Sequence, residues 1–95
     1  MATKLPRNDE LAVQFDLLAD LMELEGADAF RIGAYRKAAA RIRDTPSSVA
    51  QLALDGKAKQ LQGIGKTIEE KIVQVVDHGE IDALTKRKAD VPSEV

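Results

Sequence analysis

The sequence has no cysteine and only one histidine, and these two scarcities exclude several kinds of site. Without cysteine, the 95-residue chain can form neither a disulfide nor a cysteine-ligated zinc or iron–sulfur centre. The single histidine, His78, excludes a histidine-rich metal site. The only aromatic residues are Phe15, Phe30 and Tyr35, so the core has to be built from leucine, isoleucine, valine and alanine. We therefore expect no zinc, haem or nucleotide cofactor in this segment.

Long apolar runs are also missing. No stretch approaches the roughly 20 apolar residues that span a bilayer, and the N-terminus, MATKLPRNDE, lacks the apolar run of a secretory signal. The composition, 44% hydrophobic and 32% charged, is typical of one small globular domain. An intracellular, cytoplasmic location and no membrane partner are the expectations that follow.

Apolar residues recur at helical spacing in the first half of the chain. This rhythm predicts an amphipathic first helix, with Asn8 as its cap and Gly26 at its end. A second helix is predicted for about residues 28–43, stopped by the Asp-Thr-Pro of residues 44–46. The apolar positions of these two helices are Leu11, Phe15, Leu18, Leu21, Met22, Ile32, Tyr35, Ala38, Ala39 and Ile42.

The second half predicts shorter helices. Ser48 and Gln51 have the capping-box spacing that opens a third helix. No alternating strand pattern is convincing, so we predict an all-α fold, a compact bundle of four to five short helices. The remaining predicted elements are a helical turn at 57–60, a fourth helix from about Gly65 or Lys66 to Gly79, and a weaker helical segment at 80–89.

The predicted domain occupies residues 8–90, between an N-terminal tail at 1–7 and a linker at 91–95. The ending, KRKADVPSEV, is typical of a hinge rather than of a finished domain edge. We therefore expect the chain to be the front piece of a longer protein.

The stretch LQGIGKTIEEKI, residues 61–72, places two glycines immediately before a helical pattern. Glycine accepts positive φ and lets a ligand approach the backbone, and the free N–H groups at a helix start suit a phosphate. Gly63 and Gly65 therefore fit a phosphate seat. A tight turn between two packed helices needs glycine as well, so the glycines alone leave both interpretations open.

The net charge of −2 averages over two unlike segments. Residues 9–28 contain seven acids and no base, residues 31–43 contain five bases and no acid, and four further lysines lie near the glycines. Such segregation can create a local positive surface. The alternative is that an acidic first helix simply pairs with a basic second helix.

With helices on both sides, the pattern L-x-G-I-G-K-x-I-x-x-K-I resembles a helix-hairpin-helix motif at about residues 57–77. The wider sequence, from ADLMELEGADAFRIGAYRKAAARIRDTP through LQGIGKTIEEKIVQVVDHGEIDAL, resembles the N-terminal helical domain of family X DNA polymerases of the bacterial and archaeal type. The resemblance covers roughly residues 8–90. In that branch the domain precedes the polymerase and often a metal-dependent phosphoesterase module.

This resemblance implies a non-sequence-specific DNA-binding domain that holds the backbone and 5′-phosphate side of gapped DNA during base-excision or gap-filling repair. The implied partners are DNA and downstream polymerase domains of the same protein, with the chain itself monomeric. A Na⁺ or K⁺ ion is implied at the hairpin, held by the backbone carbonyls of Lys59, Leu61 and Ile64. The residues implied to contact DNA are Phe30, Arg31, Tyr35, Gly63, Ile64, Gly65, Lys66 and Thr67.

Three of these have specific implied roles. Arg31 and Tyr35 stand at the positions of the family's 5′-phosphate pocket, and Phe30 stands where a ring stacks against a template base. From its place on the apolar face of the second helix, Tyr35 could also be a core residue. We expect a buried ring whose hydroxyl reaches the pocket.

Some family members are also deoxyribose-phosphate lyases, and Lys71 stands at the position of their nucleophile. Its amine would attack C1′, form a Schiff base and expel the phosphate by β-elimination. Lys71 borders the apolar seam of the fourth helix, where partial desolvation raises the fraction of free amine; a snorkelling lysine is the alternative. Lyase-competent members carry lysines where this chain has Thr67, Glu80 and Ala83, so the resemblance supports DNA binding more than lyase activity.

Other titratable residues have plainer interpretations. Glu69 and Glu70 point about 100° apart on a helix, which predicts a solvated face rather than an acid–base pair. His78 lies where a cation suits the helix dipole. No D-x-D-type pair on a strand is present, so the chain alone should not synthesise DNA. Three hypotheses remain: a DNA-binding module, a lyase, and a helical protein–protein interaction module whose hairpin is only a turn.

Overall fold

The part of the chain that the structure describes is built from helices and their connections, without strands. The computed structural model describes residues 5–89, so the predicted linker and the first four residues of the predicted tail lie outside it. The predicted all-α bundle is confirmed. No helix of residues 5–89 has the length and apolarity to cross a membrane. In chain order the elements are α1 (Asn8–Leu24), α2 (Ala29–Asp44), α3 (Val49–Leu54), a 3₁₀ turn (Ala58–Gln60), α4 (Lys66–His78) and α5 (Asp82–Ala89).

The start of α1 differs from the prediction. Arg7, not Asn8, is its N-cap residue. The amide of Asn8 donates to the carbonyls of Thr45 and Ser47, both at 2.8 Å, and its oxygen accepts the Val49 N–H at 2.9 Å. The predicted capping role was therefore wrong: this side chain holds the α2–α3 connection against the start of α1.

The other predicted helix ends are confirmed. Gly26 and Gly79 adopt φ of +76° and +88° where α1 and α4 finish, a conformation that favours glycine. The Ser48 hydroxyl accepts the Gln51 N–H at 3.2 Å at the start of α3. Only this half of the capping box forms, because the Gln51 amide bonds to Asp55 instead.

Helices α1 and α2 run antiparallel and share the largest interface of the fold. The direction follows from their ion pairs, since Arg36 pairs with Asp20 whereas Arg43, farther along α2, pairs with the earlier Asp16. The predicted apolar faces meet between them, although Leu21 and Ile32 are only partly buried. The largest fully buried side chains of the core are Phe15, Leu11, Leu18, Ile42, Ile72, Ile81, Leu84 and Val49.

Candidate functional site

The connection between the 3₁₀ turn and α4 is anchored by apolar side chains. Ile64 is 2% exposed and Leu61 packs partly buried against the core, while the Ile64 N–H donates to the Leu61 carbonyl at 3.0 Å. Gly63, between them, has φ +88°, which L side chains rarely adopt. These three residues build a tight turn, and the glycine at 63 is required by backbone conformation.

Gly65 is glycine for a different reason. Its φ of −91° and ψ of −176° are open to any residue, and a Cβ built on it meets no atom within 4 Å. It is the N-cap residue of α4 and provides no side-chain cap. Neither backbone nor packing within the described chain requires glycine here, so its effect is to leave the first turn of α4 uncovered.

A row of free donors results at this helix start. Among the described residues, no acceptor bonds to the N–H groups of Gly63, Gly65, Lys66 or Thr67. The first helical N–H to be bonded is that of Glu69, which donates to the Gly65 carbonyl at 2.9 Å. Free N–H groups and the positive end of the helix dipole together favour an anion. The turn thus has the chemistry of a phosphate seat.

The same turn presents oxygen donors to a cation. Over residues 5–89, the carbonyls of Lys59 and Ile64 accept no hydrogen bond, and the Leu61 carbonyl accepts one, leaving its second lone pair free. Backbone carbonyls are donors suited to K⁺ and related ions. The donor set fits the predicted monovalent cation, whose binding stays a prediction.

The prediction of a solvated face at Glu69 and Glu70 was wrong for one of the two. Glu70 is exposed, but Glu69 is 8% exposed and its Oε2 accepts the Lys59 N–H at 3.1 Å. The hydrogen bond ties the first turns of α4 to the 3₁₀ turn. No sequence signal marks it, because the partner is a backbone group ten residues away.

The N-terminal half of α2 lies beside this turn. An open groove of about 330 Å³ separates them, and the Phe30 ring beside it is 87% exposed. Arg31 is exposed as well and forms no ion pair within the described chain. Two predicted DNA-contacting residues, Phe30 and Gly63, are thereby brought to one surface. The groove is lined by Ala29, Phe30, Gly33, Ala34, Lys37 and Gly63.

Tyr35 and Lys71 meet on the other side of α2. The Tyr35 ring is 6% exposed and stacks on Phe15, with centroids 6.2 Å apart. The Lys71 ammonium lies 5.9 Å from the centroid of the Tyr35 ring, within the range of a cation–π contact. The ring is therefore a core residue, as its helical position indicated, and it forms the floor beneath the half-buried Lys71.

The bases of α2 divide into two groups. Arg36 bonds to Asp20 and Glu23, both at 2.9 Å, and Arg43 bonds to Asp16 at 2.7 Å. Hydrogen bonding to Asp20 raises the pKa of Arg36. The bases that form no ion pair within residues 5–89 are Arg31, Lys37 and Arg41. The two sequence interpretations of the charge pattern are thus both realised: one side of α2 pairs with α1, and the rest stays positive and exposed.

Sequence reasoning missed two residues of this surface, Lys37 and Gly33, and the buried Glu69 beside it. Lys37 was not separated from the other bases of α2, although a helical wheel places it well away from Arg36 and Arg43. Gly33 lies in the interior of α2, where glycine costs about 1 kcal/mol relative to alanine, and a Cβ there would meet nothing within 4 Å. Its position inside a helix pattern was a usable signal. Glu69, by contrast, required the tertiary structure.

Residues 6–81 match the model of the helix-hairpin-helix domain family, and the chain belongs to that family. Over 77 residues it is 31% identical to the DNA polymerase/3'-5' exonuclease PolX of Bacillus subtilis (strain 168), a family X DNA polymerase. The matched segment is 81% of this chain and 13% of that relative, so the chain spans only a small part of the relative's length. The predicted resemblance to a helix-hairpin-helix domain of a family X DNA polymerase is confirmed.

Proposed function

We propose that the chain binds DNA without sequence specificity and anchors a family X DNA polymerase at the 5′-phosphate side of a gap during repair. The observation that carries this proposal is Gly65, a helix-capping glycine that neither its backbone angles nor a close contact in the described chain requires. Its lack of a side chain makes sense if a ligand approaches the backbone. The similarity to a polymerase supports DNA as that ligand.

The hairpin would hold one DNA phosphate. The N–H groups of Gly63, Gly65 and Lys66 donate to its oxygens, and the Lys66 ammonium adds charge. A Na⁺ or K⁺ ion on the carbonyls of Lys59, Leu61 and Ile64 would supply a positive charge between hairpin and phosphate. All of these contacts are to the backbone of DNA, so they position the duplex without reading its sequence.

The exposed side of α2 would hold the adjoining nucleotides. The Phe30 ring offers a stacking platform for an unpaired base, and Arg31 and Lys37 are free to meet phosphates because no acid of the described chain pairs with them. The domain would act as a monomeric module beside polymerase domains that carry the metal-binding carboxylates. Gapped DNA is the substrate on which these two surfaces are used together.

Fluorescence anisotropy with one-nucleotide-gapped DNA tests this proposal. The 5′-phosphate and 5′-hydroxyl forms are compared at about 25 mM and about 200 mM salt, because phosphate contacts weaken steeply with salt. We expect tighter binding of the phosphorylated form and a strong loss of affinity at the higher salt. Equal binding of both forms would leave a general DNA clamp. No binding at the lower salt would contradict DNA binding and leave a protein–protein interaction module.

A second candidate function is lyase activity at Lys71. The supporting observation is that Lys71 is half-buried, packs over the Tyr35 ring and forms no ion pair among the described residues. Its amine would condense with the C1′ aldehyde of a deoxyribose 5′-phosphate and release water. Loss of a C2′ proton to solvent would then expel the phosphate at C3′, and water would hydrolyse the imine.

Borohydride trapping tests the lyase. Reduction of the Schiff base gives a covalent protein–DNA adduct, which we expect in the wild type and in Lys66→Ala but not in Lys71→Ala. Trapping that persists in Lys71→Ala would assign the chemistry to another amine. No trapping in the wild type, alongside normal DNA binding, would remove the lyase and keep the anchoring function.

A further inference from the structure

Glu69 is the one charged side chain that is buried among the described residues. Its Oε2 accepts the Lys59 N–H at 3.1 Å, and within residues 5–89 no lysine, arginine or histidine forms an ion pair with it. Burial of a carboxylate without a counter-charge is unfavourable. One backbone N–H and the positive end of α4 offset this only in part. Among the described residues, this carboxylate therefore has no cation at ion-pair distance.

A cation that balances the Glu69 charge could bind at the hairpin, next to Lys59. Lys59 links the two features, because its N–H bonds to Glu69 while its carbonyl is free among the described residues. The free Lys59 carbonyl thus belongs to the same residue whose N–H contacts the buried negative charge. A monovalent cation bound there would be attracted by that charge as well as by the carbonyl dipoles. A phosphate approaching without the cation would be repelled by it.

We propose that Glu69 is a positioning residue that makes DNA binding by the hairpin depend on a bound monovalent cation. The carboxylate holds the 3₁₀ turn so that the Lys59 carbonyl stays in place. Its charge favours the cation and opposes a phosphate that arrives alone. This inference rests on the proposed DNA-binding function and adds to it the coupling between the two ligands.

The chain offers a matched pair of variants. Glu69→Gln keeps an oxygen that can accept the Lys59 N–H and removes only the charge, whereas Glu70→Gln makes the same change at the neighbouring exposed position. Affinity for 5′-phosphorylated gapped DNA is measured for each protein in potassium chloride and in tetramethylammonium chloride at equal ionic strength. Tetramethylammonium is too large for a carbonyl site and screens charge equally.

The wild type and Glu70→Gln should lose about tenfold in affinity when potassium is replaced, the order expected of a partly screened charge pair. Glu69→Gln should lose less than about threefold in affinity, because the DNA phosphate no longer meets the negative charge of the carboxylate. An equal loss in all three proteins would overturn the role of Glu69. So would a wild type whose affinity does not depend on the cation.

A second measurement needs neither DNA nor a variant. The side-chain carboxyl ¹³C resonances of Glu69 and Glu70 are followed in the wild type while potassium replaces tetramethylammonium. We expect the Glu69 resonance to shift with a saturable profile and the Glu70 resonance to stay in place. Parallel changes at both residues would overturn the inference. Failure of DNA binding would contradict the proposed function alone, since this titration still decides whether a cation lies beside Glu69.

Discussion

The two hairpin glycines lie in different backbone conformations and serve different purposes. Gly63 is held at φ +88°, so its lack of a side chain is a requirement of the turn. Gly65 lies in an extended conformation with open space where a Cβ would point. Gly63 is therefore required by the fold, whereas Gly65 is accounted for by the DNA contact proposed above.

This difference predicts opposite effects of two alanine substitutions. Gly63→Ala should lower the free energy of unfolding by about 1–2 kcal/mol, the cost of a left-handed non-glycine residue. Gly65→Ala should change it by less than about 1 kcal/mol, since alanine is only a poorer N-cap than glycine. Gly65→Ala should nevertheless weaken binding to gapped DNA several-fold, because its methyl group covers the free N–H groups.

Urea denaturation and fluorescence anisotropy separate the two effects. Gly33→Ala is a control for the unfolding measurement only, since it also adds a methyl group without a clash, but inside α2 and in the groove proposed to face DNA. It should stabilise the fold by up to about 1 kcal/mol. If Gly65→Ala bound DNA as tightly as the wild type, the proposal that DNA approaches the backbone at Gly65 would be contradicted.

Single residues also show what sequence patterns reveal. Gly63, Ile64 and Lys66 could be singled out because their spacing follows from local backbone geometry. Glu69 could not, because its burial depends on the 3₁₀ turn packing over the start of α4. A helical wheel gives the direction in which a side chain points, but it does not show which element packs against that side chain.

Among the helices, the start of α1 and the α2–α3 connection are joined by one side chain. Asn8 makes three hydrogen bonds to backbone groups of Thr45, Ser47 and Val49. Each bond joins two residues that are more than thirty positions apart in sequence. Together the three bonds hold the first three helices in one unit.

Asn8→Ala should therefore lower the free energy of unfolding by about 2–3 kcal/mol, at about 1 kcal/mol for each bond lost. The measurement is urea denaturation followed by circular dichroism. Gln60→Ala is the control, because Gln60 is exposed and its side chain makes no hydrogen bond among the described residues. Equal midpoints for the two variants would mean that Asn8 does not join these elements.

The α4–α5 connection contains a pH-dependent contact. The His78 Nδ1 lies 2.8 Å from the Asp82 Oδ1, and this hydrogen bond, reinforced by the charge of Asp82, raises the pKa of His78 above its ordinary value of 6.5. Because the pKa of His78 is higher in the folded than in the unfolded protein, the contribution of this contact to folding stability is fully present below about pH 6.5. The stabilisation is lost as the pH rises through the higher folded value.

We expect the stability difference between the wild type and His78→Gln to shrink between about pH 6 and about pH 8. The effect should be small, since both side chains are more than half exposed. An NMR titration of His78 checks the direction directly, and Asp82→Asn should return its pKa toward the ordinary value. A titration unchanged by Asp82→Asn would contradict the contact.

Over the whole molecule, the net charge of −2 conceals an ordered division. Acids of α1 neutralise one side of α2 through Arg36 and Arg43. Lys37 lies on another side, next to the groove shared with Gly63. An acidic protein can thereby present unpaired bases to DNA, because the acids of α1 pair with other bases of the same helix.

This division predicts different effects for two bases of the same helix. Lys37→Ala should weaken binding to gapped DNA on the order of threefold to tenfold at low salt, and lower the slope of log affinity against log salt by about 1. Arg36→Ala should leave that slope unchanged and change the stability little, since its ion pairs are exposed and screened by solvent. Equal slopes for the two variants would contradict a DNA surface on this side of α2.

The sequence by itself determined the helical class, most helix ends, the hairpin and the family, because these depend on local periodicity, on glycine and proline positions and on a compact motif. It also identified both possible uses of the charged segments. Only the tertiary structure decided which bases of α2 are neutralised, where Asn8 directs its amide, that Tyr35 packs beneath Lys71, and that Glu69 is buried beside the hairpin. Each of these depends on groups far apart in the chain, whose meeting is settled by how the helices pack and not by the residues nearby.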